Sequence, residues 1–172
     1  MAFELIGALI AAAALGLLLW ALRRVFKNLP KWSVPAAAAV GLIGTTVWLE
    51  YDWFTRVSAE LPAGFVVVNA EATSNPLRPW TFIAPITTSF TALDRSKLAH
   101  HPSLPNLVTA PVFGFARWKN PQSGLMVFDC AANRRAPVVE GMEIDAAGTL
   151  TGTDWVVLDA MDELQEAACR EG

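Results

Sequence analysis

The sequence predicts a membrane-anchored α+β protein: a two-helix transmembrane hairpin, then a mainly antiparallel β domain closed by a C-terminal helix. Three observations predict it. Two apolar runs flank a short basic hinge, residues 23–32. Beyond Gly64 the pattern turns from helical to extended, with β-branched and aromatic runs punctuated by turn residues. The final stretch, AMDELQEAACREG, returns to helix formers.

The first run, FELIGALIAAAALGLLLWAL, has a single charge, Glu4, near its outer end. It is long enough for the hydrocarbon layer, which takes roughly 20 helical residues. The second, SVPAAAAVGLIGTTVWL, ends before Glu50. Backbone in lipid must satisfy its own hydrogen bonds, so both runs are expected to be helices, and Pro35 is tolerated in a first turn. The hinge carries Arg23, Arg24, Lys27 and Lys31 and no acid. The positive-inside bias therefore puts it in the cytoplasm, with the start of the chain and the β domain on the opposite side. A cleaved signal is disfavoured, because the bases follow the apolar run instead of preceding it. A single anchor with one run peripheral or re-entrant is the alternative.

Small residues recur four apart: Gly7 with Ala11, Ala12 with Gly16, Ala37 with Gly41. Such pairs let helix backbones approach closely, either within the hairpin or against a neighbouring membrane subunit. Trp20, Phe26 and Trp32 on one side and Trp48, Tyr51, Trp53 and Phe54 on the other match aromatic belts. Nothing breaks a helix from Trp48 to Leu61, so the second helix is expected to continue as a stalk. The expected division is residues 1–61 for the hairpin with its stalk and 62–172 for the β-rich domain. No ionisable group lies centrally in either run, which argues against conduction or proton relay.

Strands are expected over FVVVNAEA from Phe65, WTFIAPITTSFTAL from Trp80, LVTAPVFGFARW from Leu107, GLMVFDC from Gly124, RAPVVEGMEID from Arg135 and TLTGTDWVVLDA from Thr149. SNPLRP, NPQSG and AANR supply turns. Residues 94–106 read as a loop with room for a helical turn. The terminal helix is expected from about Asp159, as N-cap, to Arg170. Trp80, Trp118 and Trp155, with Phe82, Phe113, Phe115 and Phe128, are expected to fill one core; exposed together they would mark a contact patch.

Charge divides unevenly. Residues 1–50 hold four bases and two acids, residues 51–172 nine bases and fourteen acids. A mildly acidic domain without a basic face gives no footprint for nucleic acid, and binding of the domain to anionic lipid headgroups is likewise disfavoured. Two cysteines on the oxidising side, Cys130 and Cys169, read first as a disulfide, with a redox or metal role disfavoured by the lack of a CxxC. His100 and His101 could share a metal only with two more ligands, and a solvated loop explains them. The pair Arg134 and Arg135 could grip an anion, although an acid such as Asp129 or Glu140 is the expected partner. No nucleophile elbow or phosphate loop appears, so no catalytic, cofactor-binding or metal residues are assigned and no cofactor is expected.

The run MVFDCAANRRAPVVEGMEIDAAGTLTGTDWVVL, followed by EAAC, resembles the second half of the surface-adhesin E family of bacterial envelope proteins. The shared features are a strand ending in Asp-Cys, basic residues just after it, an Asp-x-x-Gly turn, a Trp in the next strand and a closing Cys. Here these are Asp129, Cys130, Arg134, Arg135, Asp145, Gly148, Trp155 and Cys169. The resemblance covers about Val108 to Cys169. It implies a small, mostly antiparallel sheet with helix packing and a disulfide, and no catalytic residues. The two-helix anchor and the distinct N-terminal half depart from that family, so no adhesin role is carried over. The kinship would make the membrane a bacterial inner membrane and the domain periplasmic.

Three function classes follow. The favoured one is a non-catalytic accessory or scaffold subunit, whose helices dock with another integral membrane protein among membrane lipids. The second is a stand-alone anchored binding module for an envelope component, which predicts a concave apolar pocket with polar groups at its mouth. The third, an enzyme, needs converging titratable groups that no spacing anticipates.

Overall fold

The computed structural model of the chain describes residues 2–145, 148–158 and 162–170. Two compact units emerge, Met1–Arg56 and Val57–Gly172, with the boundary inside the second helix.

In the first unit, α1 (Ala2–Val25) and α2 (Ser33–Ala59) are long uninterrupted helices, as their lack of internal breakers dictates. Only 11% and 17% of their most apolar windows are buried, unlike the core helix of a soluble protein. By length and composition both can cross a bilayer. The Arg23 side chain donates to the Leu29 carbonyl at 3.3 Å and closes the connecting turn. The Ser33 hydroxyl donates to the Pro30 carbonyl at 2.7 Å, at the start of α2. At the other end of the pair, Arg56 donates to Glu4 at 2.8 Å. The helices therefore run antiparallel with no long overhang of one past the other.

Among the described residues of the second unit, nine strands form. They are β1 (Phe65–Thr73), β2 (Ile86–Asp94), β3 (Ala99–His100), β4 (Leu107–Ala116), β5 (Gln122–Asp129), β6 (Arg134–Pro137), β7 (Glu143–Ile144), β8 (Leu150–Thr151) and β9 (Val156–Val157). The main sheet is antiparallel with order β1-β2-β4-β5-β6-β9, β3 pairs at one end of β4, and β7 and β8 make a separate hairpin. A bulge between Val67 and Asn69 offsets β1 against β2, bending it and helping to curl the sheet. A short helix, α3 (Glu163–Cys169), follows.

Strand alternation gives the sheet two unlike faces. On one, Leu93, Ala110 and Phe128 meet Val68 and the Ala167–Ala168 side of α3, with Leu164 and Met126 at the margin. On the other, Leu107, Val127 and Ala136 are covered by Met142, Ile144, Leu150 and Trp155 around the β7–β8 hairpin. Alanines at the α3 contact let the helix lie close to the strands.

Several expectations need correction. Trp80 is not in a strand: prolines at 79 and 85 hold Pro79–Phe82 in a 3-10 turn, and β2 begins only at Ile86. The expected strands from Arg135 and Thr149 each break into two short pieces, because Gly141 and Gly152 adopt positive φ and turn the chain. The N-cap of α3 is Asp162, whose carboxylate accepts from the Gln165 amide; Asp159 lies outside the described residues. The aromatic residues do not fill one core. Phe128 is fully buried and Trp155 joins the second cluster, whereas Phe82 and Trp118 are exposed. Trp53 is buried, so it is no part of an aromatic belt, while Trp48 is exposed.

Candidate functional site

The sheet face that carries α3 is only partly covered by it. Where the helix stops, adjacent strands set Asn69, Thr91, Gly114 and Gln122 side by side in one row, with Glu71, Ser89 and Ala116 in the next. Three adjoining hollows of about 290, 450 and 490 Å³ follow this face, and Thr91 lines all of them. Lys119 and Asn120 edge one end, and Arg135, Asp162 and Leu164 the other. The lining is mixed: amides and hydroxyls over the first row, then Val112, Leu125 and Met126 toward β5. This groove is more polar than the apolar pocket expected of a binding module.

Two strand glycines form part of its floor. Neither Gly114 nor Gly124 has a positive φ, so no backbone conformation demands glycine there. A Cβ on Gly124 would meet nothing within 4 Å, and on Gly114 only the Gln122 carbonyl at 4.0 Å. Glycine within a strand weakens it and often marks a bulge, a bend or a place where a ligand or another backbone approaches closely. Sequence reading passed over this row. The legible signal was polar residues in strand positions that share a face with core residues, together with glycines outside any turn.

The two adjacent arginines part company through strand alternation. Arg134 donates to Asp129 at 2.8 Å and lies over the Trp155 ring at 4.6 Å. The other Asp129 oxygen accepts the amides of Ala131 and Ala132, closing the β5–β6 turn in which Asn133 has φ 48°. Gly148 lies alongside, where a Cβ would be 4.0 Å from the Arg134 guanidinium. Arg135, on the opposite face, donates to Asp162 at 2.6 Å and so ties β6 to the cap of α3. Asp145 accepts the Thr149 amide at 2.8 Å and shapes its own turn. Glu140 is in neither pair. Both arginines thus hold elements together by charge-assisted bonds.

Cys130 and Cys169 form a disulfide with Cα atoms 5.7 Å apart, which points to a non-reducing compartment. Buried Gln165 reinforces it, donating from its amide to the Asp129 carbonyl at 3.1 Å. His101 accepts the Ser103 amide in its own loop, and His100 is exposed on β3. Among the described residues no three His, Cys, Asp or Glu side chains converge as metal ligands.

In the helical unit, a Cβ on Gly41 would meet Leu15 at 2.9 Å, the Ala11 carbonyl at 3.0 Å and Ala12 at 3.2 Å. A Cβ on Gly16 would meet Ala38 of α2 at 3.4 Å. Gly7 and Gly44 have open space where a side chain would be. Of the connecting bases, Arg24 stacks on Trp20 at 4.6 Å, and Lys27 and Lys31 are exposed. Compared with known protein families, characterised proteins and solved structures, the chain matches none.

Proposed function

We propose that this protein is a non-catalytic accessory or scaffold subunit of a bacterial inner-membrane complex, docking through α1 and α2 and bracing the periplasmic face with its sheet domain. The observation that carries the reading is the uneven use of helix glycines. Glycine inside a helix costs about 1 kcal/mol relative to alanine. At Gly41 the close packing of α1 explains it; at Gly7 and Gly44 none of the described residues does. In lipid, close backbone approach by a further helix supplies the missing reason. The basic connecting turn supports a cytoplasmic placement for residues 23–32, and the disulfide supports an oxidising side for the sheet. The envelope-domain kinship proposed from Asp129, Cys130, Trp155 and Cys169 fits the same placement.

The test is purification from native membranes in mild detergent. A stoichiometric integral-membrane partner is expected, lost in Gly7→Leu while the sheet domain keeps its fold; a clean monomer in the parent chain contradicts the reading. The groove favours a second reading, a stand-alone anchored module that binds an elongated, uncharged polar chain across Gly114 and Gly124. That reading predicts that Gly114→Val abolishes ligand capture and leaves any helix-bound partner in place.

A further inference from the structure

The β1–β2 connection, residues 74–85, and the β4–β5 turn, residues 117–121, lie at the same end of the sheet, because β1 and β4 both run toward it. Apolar side chains are displayed there: Leu77 is 88% exposed, Phe82 62%, Ile83 90% and Trp118 58%. Removing such side chains from water is worth about 1.5–3 kcal/mol each, so leaving several out together marks a contact surface.

The longer loop is built to hold them out. Thr81 is fully buried, its hydroxyl donating to the Arg78 carbonyl at 2.7 Å and accepting the Asn75 amide at 2.8 Å. The Asn75 side chain accepts the Leu77 amide at 2.9 Å, and the 3-10 turn fixes Phe82. Charge identifies the occupant. These two segments contain Arg78, Arg117 and Lys119 and no acid, although residues 51–172 as a whole carry an excess of acids; Arg117 is buried against Trp118, which leaves half-buried Arg78 and exposed Lys119 as the cations at the surface. Aromatic and aliphatic groups edged by cations are the composition of elements that rest in the headgroup layer of anionic membranes.

We propose that these two loops form a lipid-contacting tip that inserts Leu77, Phe82 and Ile83 into the interface of an anionic bilayer, with Trp118 and Lys119 at the headgroup level. This rests on the reading that α1 and α2 span that bilayer. Leu77 follows the end of α2 by only eighteen residues. Such tethering raises the local concentration of lipid surface so far that weak intrinsic affinity suffices.

The test uses the full chain in lipid nanodiscs containing phosphatidylglycerol. An environment-sensitive fluorophore is placed at Ile83→Cys, at Leu17→Cys in α1 and, as a solvent control, at Val139→Cys. The expected result at position 83 is a blue-shifted emission that brominated lipid largely quenches, with position 17 quenched and position 139 not. Replacing the anionic lipid by phosphatidylcholine, or adding Lys119→Glu, is expected to reduce quenching at 83 and not at 17. Water-like emission at 83 with quenching at 17 overturns the tip proposal and leaves the anchor standing. Loss of quenching at both positions overturns the anchor as well. A blue shift at 83 without lipid quenching means that protein covers the tip, which also overturns the proposal.

Discussion

Asp94 shows how one side chain can hold the junction between two elements. Its carboxylate accepts from the Ser96 hydroxyl and amide and faces Lys97 at 3.5 Å, capping the 3-10 turn over Arg95–Lys97. The Ser96 hydroxyl bond above all, then the Ser96 amide and Lys97, holds the carboxyl below its ordinary value of 3.8, although burial works the other way. A carboxyl whose folded value is depressed stabilises fully above the unfolded value and loses that contribution as pH falls through the folded value. Asp94→Ala is therefore expected to cost about 1–3 kcal/mol at pH 7, the range for hydrogen bonds to a charged group. The gap between the two proteins should close progressively below pH 3.8. Urea melts of the parent and variant across pH check this; a gap unchanged down to pH 2 contradicts it. Strand alternation sends Arg134 and Arg135, adjacent in sequence, to opposite faces of the sheet, where each meets its own acid.

At the level of elements, two contacts carry the account. Gly41→Leu places a side chain where Leu15, Ala11 and Ala12 already sit, so the helices must separate or distort, at about 1–3 kcal/mol for overpacking. Crosslinking yield between α1 and α2 in membranes is expected to fall for Gly41→Leu and to persist for Gly7→Leu, where a Cβ meets no described residue within 4 Å; equal effects contradict the assignment. The disulfide closes a separation of 39 residues and fastens α3 over Phe128. Reduction is expected to lower stability by about 2–4 kcal/mol, read from denaturant midpoints with and without reductant. An unchanged midpoint sinks the idea that the bridge holds α3. What was legible in the sequence follows from period and punctuation. The long apolar helices, the β1, β4 and β5 stretches and the cysteine pair all announce themselves locally. The short strands β7, β8 and β9 do not, since two residues carry no period and their pairing is decided by glycine turns and by Trp155 packing. The helix cap is Asp162, where the sequence also offers Asp159 three residues earlier; the ion pair with Arg135, which no local pattern announces, holds Asp162 in place. The groove was invisible because its residues are scattered over four strands and acquire meaning only in register.

In the molecule as a whole, an apolar helical pair whose surface suits lipid precedes a disulfide-bearing sheet that suits an oxidising side. Exposed Leu5, Leu9, Leu17, Val40 and Ile43 would be a liability in water and are ordinary in hydrocarbon. On the proposed reading the bases between the helices set the orientation, and with it what the groove, the proposed tip and the disulfide can meet. The direct measurement is labelling of intact spheroplasts with a membrane-impermeant amine reagent, followed by peptide mapping. Modification of Lys97 and Lys119 is expected, with Lys27 and Lys31 labelled only after the membrane is opened. Labelling of Lys27 and Lys31 in sealed spheroplasts, with Lys97 and Lys119 spared, contradicts that orientation.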